Sequence, residues 1–491
     1  MIDIATEQNV SLLRQTALLL ERENERLHAR LAHLLQTAGA TPMAIQQELD
    51  ALREQLAQRN RALFGRSSEK RSAAPSTDVA AVSPSSGHGR TVQPTLPIVD
   101  AVFTLAEAER TCPACGGHVD EMTGQFEDAE EITVVERRFQ VTRIRRQKYR
   151  CRCNGHVATA PGPVKLQEGG RYAPAFAIEV AVSKYLDHLP LERQVRVMAR
   201  EGLAVTSQTL WDQIEVLARA LHPSYEAIRE VVRAAPVIGA DETHWRLMAP
   251  RSGTSRWWAW CLTSPDAVYF AILKHRSADV ARLILGRYGG VVMADGYGAY
   301  DALARGEPGC TLAHCWAHVR RKYVEIAEHF PVPCAAVLDH IAALYQVERD
   351  AEVRGAGDVE AVLRVRAELR AVQSRAIVAG IRDWAYAQAV LPQSGLGKAI
   401  AYMLGMWHGL THFLSDARIP LDNNATERAI RGPVVGRKNF YGARSQRGTE
   451  VAALFYTLFE TAKLRGVEPK GYLRQAVMAA LSAPGTVTLP A

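Results

Sequence analysis

Two short apolar runs in this chain each end on a carboxylate: Pro236-Val237-Ile238-Gly239-Ala240-Asp241 and Gly290-Val291-Val292-Met293-Ala294-Asp295. Unbroken apolar runs of this length suit strands in the middle of a sheet. If the two strands are neighbours, Asp241 and Asp295 stand side by side. Carboxylates held close together repel, and a divalent cation that prefers oxygen ligands is their natural neutraliser. Mg²⁺ keeps several waters when bound, and one of them can become a nucleophile. A third carboxylate lets such a site hold two ions roughly 4 Å apart, one at the attacking oxygen and one at the leaving 3′-oxygen of a phosphodiester. Asp at a strand end is also a common turn former and helix cap, and spacing alone leaves both readings open.

A candidate third acid lies in Leu421-Asp422-Asn423-Asn424-Ala425-Thr426-Glu427-Arg428, which has the composition of a capped helix start. Glu427 and Arg431 are four apart on one helical face, so a surface ion pair is the plain alternative. The neighbourhood favours more. Arg428, Arg431, Arg437, Lys438, Arg444 and Arg447 crowd around it, with Asn439, Phe440 and Tyr441 interleaved. Cations and aromatics around a carboxylate suit an active site that receives a DNA end.

A different chemistry belongs to the cysteines. Cys112 and Cys115 form a C-x-x-C pair before Gly116-Gly117, and Cys151 and Cys153 form a tighter C-x-C pair, with His156 a possible substitute ligand. Two thiolate pairs on glycine-closed turns suit a tetrahedral Zn²⁺ site; the alternative is four inert thiols. Eight cysteines in 491 residues are too sparse for a disulfide scaffold. Between the pairs a strand-like run, Ile132 to Tyr149, concentrates Arg137, Arg138, Arg143, Arg145, Arg146 and Lys148. This is either a phosphate-binding face or a solvated strand face.

The chain is long enough for three or four structural units. Its net charge of +7 is weak support for a nucleic-acid partner until the clustering of the cations is considered. No run of about 18 uncharged apolar residues is present, so no membrane span is expected, and the N-terminus does not read as a secretory signal. The expected compartment is the cytoplasm. Residues 1–65 carry Leu13, Leu20, Leu27 and Leu34 at heptad spacing, with Asn24 in the seam, as a dimeric coiled coil does; Pro42 would alternatively mark the turn of a helical hairpin. Residues 66–97 are a flexible Ser/Ala/Pro/Gly linker, and 98–165 hold the zinc-binding β module. Residues 166–234 read as helices; Glu201-Gly202-Leu203 followed by Thr206-Ser207 fits a helix-turn-helix or an ordinary small bundle.

Several strings in order along the chain resemble transposases of the insertion sequence 66 family: Leu63-Phe64-Gly65-Arg66-Ser67-Ser68-Glu69-Lys70, Gly239-Ala240-Asp241-Glu242-Thr243, Ala294-Asp295-Gly296-Tyr297, His314-Cys315-Trp316-Ala317-His318-Val319-Arg320-Arg321-Lys322, Asp422-Asn423-Asn424-Ala425-Thr426-Glu427-Arg428, Gly436-Arg437-Lys438-Asn439 and Glu460-Thr461-Ala462-Lys463. The resemblance implies a multidomain α+β protein: leucine-zipper-like N-terminus, zinc module, helical DNA-binding region, and a ribonuclease-H-like α/β catalytic domain over 235–465, with a C-terminal tail region over 466–491. It implies that Asp241, Asp295 and Glu427 are catalytic and hold two Mg²⁺ (or Mn²⁺) ions. Asp295 and Glu427 are far apart in sequence, and the Ala-, Leu-, Arg- and Glu-rich stretch at about 332–414 reads as an all-helical insertion.

His314, Cys315 and His318 invite a metal reading, but their place at a Trp-containing helix start before an Arg-rich stretch favours DNA or packing contacts. Arg320, Arg321, Arg437 and Lys438 are the first candidates for phosphate contacts, with Arg428 and Arg431 beside them. Two departures from the family pattern stand out: the C-x-C pair, and Arg431-Gly432-Pro433 where Arg-Pro is expected, which would shift a loop after the catalytic helix. The expected function is a transposase that cleaves element ends and joins them to target double-stranded DNA as a homodimer or higher oligomer, with or without accessory proteins, in the nucleoid. The rivals are a non-enzymatic zinc-containing DNA-binding regulator and a nuclease of the same fold without strand transfer.

Overall fold

The computed structural model describes residues 100, 102, 104–110, 113–118, 120, 139–150, 156–249, 253–296, 298–306 and 309–490. The expected coiled coil and linker, together with Cys112, Cys151, Cys153, Arg137 and Arg138, lie outside the described residues. The chain divides into two compact units, Arg66–Arg138 and Met1–Gly65 with Phe139–Ala491. In the smaller unit, the described part contains a 3-10 turn at Glu107–Glu109 and a turn at Pro113–Cys115. Gly116 follows with φ +75°, the left-handed conformation that closes such a turn at no side-chain cost.

The first described strands of the larger unit are a small antiparallel pair, β1 (Lys148–Arg150) and β2 (Val157–Thr159). The strand expected from Ile132 to Tyr149 is much shorter in its described part: residues 139–147 are not strand. The opposite strand is three residues long, and the pairing ends where Gln147 O accepts the Ala160 N–H (2.9 Å) and Arg146 Nε donates to Ala160 O (2.6 Å). Three helices follow: α1 (Pro174–Tyr185), α2 (Leu191–Arg200) and α3 (Ser207–Ala234). Gly202, φ +84°, ends the turn after α2, and the Thr206 side chain accepts the Thr209 N–H to start α3 (3.2 Å). Leu210, Ile214, Leu217, Leu221, Ile228 and Val232 bury one stripe of α3 at three- and four-residue spacing, so this helix is part of the core.

A five-stranded mixed sheet comes next, from β3 (Val237–Ala249), β4 (Gly253–Thr263), β5 (Val268–Leu273), β6 (Val291–Ala294) and β7 (Thr311–His314). Its order is β5-β4-β3-β6-β7, with antiparallel pairing among β3, β4 and β5 and parallel pairing of β3 with β6 and β6 with β7. Helices α4 (Ala278–Leu285) and α5 (Gly298–Gly306) make the crossovers around β6. After β7 come α6 (Trp316–Ile326) and a helical stretch of α7 (Pro331–Gly355), α8 (Val359–Leu369), α9 (Arg375–Ala387), α10 (Gly395–Gly405) and α11 (Trp407–Thr411). The chain returns to the sheet in α12 (Asn424–Phe440), then α13 (Gln446–Leu464) and α14 (Pro469–Ser482).

The two faces of the sheet feed two cores. Ile238, Ala240, Val292 and Ala294 pack with α3, α4, α13 and α14; Val237 and Met293 pack with α6, α7, α9 and α10. Helix α13 is buried almost all round, from Val451 to Phe459. It also covers the edge strand β5: Thr457 Oγ1 accepts the Phe270 N–H (2.8 Å) and Thr461 Oγ1 accepts the Val268 N–H (3.1 Å). Those outward N–H groups would otherwise template another strand.

Candidate active site

β3 and β6 run parallel in the register Val237↔Val291, Ile238↔Val292, Gly239↔Met293. Two residues further on, that register sets Asp241 beside Asp295. Side chains alternate along a strand, so Asp241 points to the face shared by Val237 and Met293, and the charge of Asp295 acts on its carboxyl. The expected side-by-side placement is therefore present, with one difference. β6 ends at Ala294, but β3 continues through Asp241 to Ala249, because β4 pairs with it along that whole length, from Gly239↔Thr263 to Ala249↔Gly253. Asp241 sits inside a strand, not at its end.

The third acid arrives by way of Asn423. Its Nδ2 donates to Ala240 O (2.8 Å), and its Oδ1 accepts the Thr426 hydroxyl (2.6 Å), which also pairs with the Thr263 hydroxyl (2.6 Å). Gly239 makes this approach possible: a Cβ there would come within 2.6 Å of both Asn423 Oδ1 and Thr263 Oγ1, and would meet Thr426 Oγ1 as well. Asn423 is thus spent on the sheet and gives α12 no side-chain cap, unlike the capped start its composition suggests. Glu427 is one residue beyond Thr426. It turns toward α6 rather than pairing with Arg431: His318 Nε2 lies 3.7 Å from Glu427 Oε1 and Arg321 3.9 Å from Oε2.

The path back from the helical stretch is pinned at several points. Buried Arg370 holds Glu348 through two bonds (2.7 and 2.8 Å) and donates to Phe413 O, Asp416 O and Ile419 O. Trp316 N–H donates to Leu421 O (2.9 Å), Tyr345 donates to Asp422 (2.9 Å), and Asn423 N–H donates to Cys315 Sγ (3.3 Å). Gly296, just past Asp295, lies close to the helical stretch: an added Cβ would come within 2.5 Å of Met406 Sδ and 3.4 Å of the Tyr402 hydroxyl.

The electrostatics record uncompensated negative charge. Burial pushes the Asp241 carboxyl up to about 7, and the charges of Glu242, Asp295 and Glu427 push the same way against a hydrogen bond from the Glu242 N–H (2.8 Å). Glu427 Oε1 is buried without a hydrogen-bond partner. Two carboxylates in register, one resisting ionisation, and a third with an orphaned oxygen fit a hard divalent cation, whose ligands are oxygens. A closer cluster is also present. The ligand atoms of Cys315, His318 and Glu427 all lie within 4.8 Å of one another; Asp241 and Asp295 are not in that group.

Glu242, on the opposite face from Asp241, was not singled out by sequence. It is buried and accepts from Arg276 Nε (2.6 Å) and Tyr300 (2.6 Å). Burial raises its carboxyl, and Tyr300 and Arg276 oppose that. The signal for Asn423 and Thr426 was Gly239 itself, since glycine inside a strand marks a close approach.

The candidate phosphate contacts divide. Arg143, Arg145, Arg320, Arg428, Arg431 and Lys438 are exposed; Arg146 is exposed but bonded to Ala160 O. Arg437 is half-buried and binds Thr243 Oγ1 (3.3 Å) and His244 O, so it joins α12 to β3. Pro433 does not begin a loop: α12 runs through it to Phe440. Gly432 and Gly436 let this part of the helix press against Glu460 and Tyr456 of α13, which holds it in place despite the missing N–H.

Comparison with known proteins adds the following. Residues 169–451 match the description "Transposase IS66 family". Residues 109–154, spanning Cys112, Cys115, Cys151 and Cys153, match the "zinc-finger binding domain of transposase IS66". Two uncharacterized proteins of Sinorhizobium fredii are similar: y4qI, 35% identical over 74% of this chain and 69% of its own length, and y4jD, 31% identical over 80% of this chain and 78% of its own. No solved structure matches. Among the described residues, no helix is long and apolar enough to cross a membrane.

Proposed function

The chain belongs to the IS66 family of transposases, and from that premise we propose that it cuts and rejoins DNA through Asp241, Asp295 and Glu427. The observation that supports the reading is the buried polar lock at Gly239, where Asn423 and Thr426 hold the start of α12, which bears Glu427, against the strand that bears Asp241. A sheet of mixed direction with helices on both faces supports a ribonuclease-H-like catalytic domain, and the helices between α6 and α12 support an insertion within it. The zinc-finger match supports structural Zn²⁺ on Cys112, Cys115, Cys151 and Cys153.

The three carboxylates would hold two Mg²⁺ or Mn²⁺ ions, which when bound supply Lewis-acid activation of the attacking oxygen and stabilise the leaving one. The remaining work belongs to the chain. Asn423, Thr426 and Thr263 fix the start of α12, which bears Glu427, against β3 and β4. Burial holds the Asp241 carboxyl up at about 7, and as a cation ligand it would serve in its deprotonated form. Arg321, Arg428 and Lys438 offer positive charge to the DNA backbone beside the acids.

The test is strand cleavage and joining by the purified full chain with Mg²⁺ or Mn²⁺, a DNA carrying the element's terminal repeats, and a target plasmid. Joined product is expected from the wild type and none from Asp241→Asn, Asp295→Asn or Glu427→Gln. Binding without cleavage under both metals would instead identify a DNA-binding regulator, and cleavage without joining a nuclease.

A further inference from the structure

We propose that Cys315, His318 and Glu427 form a second metal site, for a borderline-soft divalent cation of the Zn²⁺ class, and that Glu427 is shared between it and the hard-ion site. The donor set is one sulfur, one imidazole nitrogen and one carboxylate oxygen. That is the ligand chemistry of zinc, whereas magnesium takes oxygen and water. Zn–S bonds near 2.3 Å and Zn–N or Zn–O bonds near 2.0–2.1 Å put tetrahedral ligand atoms roughly 3.3–3.6 Å apart. His318 Nε2 and Glu427 Oε1 are 3.7 Å apart, and all three ligand atoms lie within 4.8 Å. Side-chain adjustments of roughly 1 Å close the set. A fourth position remains for water or a phosphate oxygen.

Three further observations point to a ligand here. Glu427 Oε1, the oxygen nearest His318, is buried and lacks a hydrogen-bond partner. Cys315 Sγ accepts the Asn423 N–H at 3.3 Å, the kind of outer contact that orients a metal thiolate. Cys315 and His318 are three residues apart at the start of α6, and Asn423 holds the α12 start against Cys315, so both sides of the site are rigid. Burial pushes the Cys315 thiol up to about 11. The ion must therefore displace its proton, which zinc-class ions do on binding.

Site occupancy has a functional consequence that rests on the reading of the previous subsection. A zinc-class ion would draw Glu427 toward α6 and away from Asp241 and Asp295. The two ions would then compete for one carboxylate, and zinc would antagonise Mg²⁺-supported cleavage.

The experiment is a Co²⁺ titration of the full chain with its zinc module already loaded. The wild type is expected to take up one further equivalent, with thiolate-to-cobalt charge-transfer absorption. Cys315→Ser, which keeps an acceptor for the Asn423 N–H, and separately His318→Gln, should each weaken that uptake about tenfold or more. Melting curves check that both variants are folded. These variants leave the module's cysteines intact, so any signal they retain belongs to the module. Uptake unchanged in both folded variants, or no uptake beyond the module in the wild type, overturns the site. In a second arm, micromolar Zn²⁺ added over Mg²⁺ should lower wild-type cleavage about tenfold and leave the Cys315→Ser rate largely insensitive to zinc. Wild-type cleavage indifferent to Zn²⁺ overturns the antagonism. Wild type that never cleaves DNA overturns the transposase chemistry, while the cobalt titration still decides the site.

Discussion

Replacing Asp241 with Asn should make the metal-free protein more stable at neutral and higher pH, and less so in acid. The carboxyl titrates at about 7 instead of 3.8, because burial and the nearby acids oppose its charge. A group with a raised folded-state pKa contributes stability that is fully present below the unfolded value and lost as pH rises through the folded one. The window is therefore about pH 4 to 7. At ~1.4 kcal/mol per pH unit the loss has a ceiling of ~4 kcal/mol, and partial solvent access brings it nearer 2–4 kcal/mol. Asn removes the charge but keeps an oxygen for the Glu242 N–H, so the variant should escape this loss. Between about pH 5.5 and 7 its advantage should grow by ~2 kcal/mol. Unfolding in EDTA, followed by the fluorescence of buried Trp245, Trp260 and Trp316, measures this at each pH. Saturating Mg²⁺ should then raise the midpoint of the wild type and not of the variant, since a ligand bound at about 100 times its Kd stabilises by ~2.7 kcal/mol. An advantage that is flat with pH, or a variant less stable than wild type at pH 8, would refute the charge argument.

Gly239→Ala should abolish cleavage while costing only ~1–3 kcal/mol of stability, because its Cβ meets Asn423, Thr426 and Thr263 and pushes Glu427 off the sheet; comparing melting midpoints with cleavage rates checks this, and retained cleavage would sink it. Glu242→Gln should lose ~1–3 kcal/mol in denaturant unfolding, as Arg276 and Tyr300 lose a charged acceptor and Arg276 is partly solvated. For DNA binding, Arg428→Ala and Lys438→Ala should each reduce the slope of log K against log salt by about 1, without changing stability. Arg437→Ala should instead lower stability, by ~1 kcal/mol or more, because its guanidinium bonds β3; salt titrations alongside melting curves separate the two classes.

The strands bearing Asp241 and Asp295 were legible because burial on both faces leaves an unbroken apolar run, whereas their adjacency stayed a condition until β3 and β6 were seen to pair. The continuation of β3 was not legible. From Glu242 to Arg246 the chain is polar except for Trp245, and only the eleven-residue pairing with β4 makes it strand. Glu427 was legible through its motif, but its partner was not. Four-residue spacing suggested Arg431, whereas the carboxylate reaches α6, more than a hundred residues away in sequence. The same holds for Cys315 and His318. Sequence placed them correctly at a helix start, yet their third neighbour is fixed by tertiary contact alone. Arg437 was marked by basic composition as a phosphate candidate, and the fold gives its guanidinium a place on β3 that composition does not show.

The lock at Gly239 also bears on how the chain folds. The hydrogen bond from Asn423 to Ala240 closes a loop of 183 residues, and the one between Thr263 and Thr426 a loop of 163. Such contacts form slowly when the intervening chain is loose, since the closure entropy precedes the reward. Here the intervening helices pack on one another through local contacts, and Arg370 gathers their end onto α7. Once they are formed, the search is short, a docking of α12 onto a finished sheet rather than a wandering of unstructured chain. The candidate site is then completed only when α12 docks. Under the proposed function, a chain still being synthesised, or one cut short before α12, would carry both aspartates and be unable to break DNA.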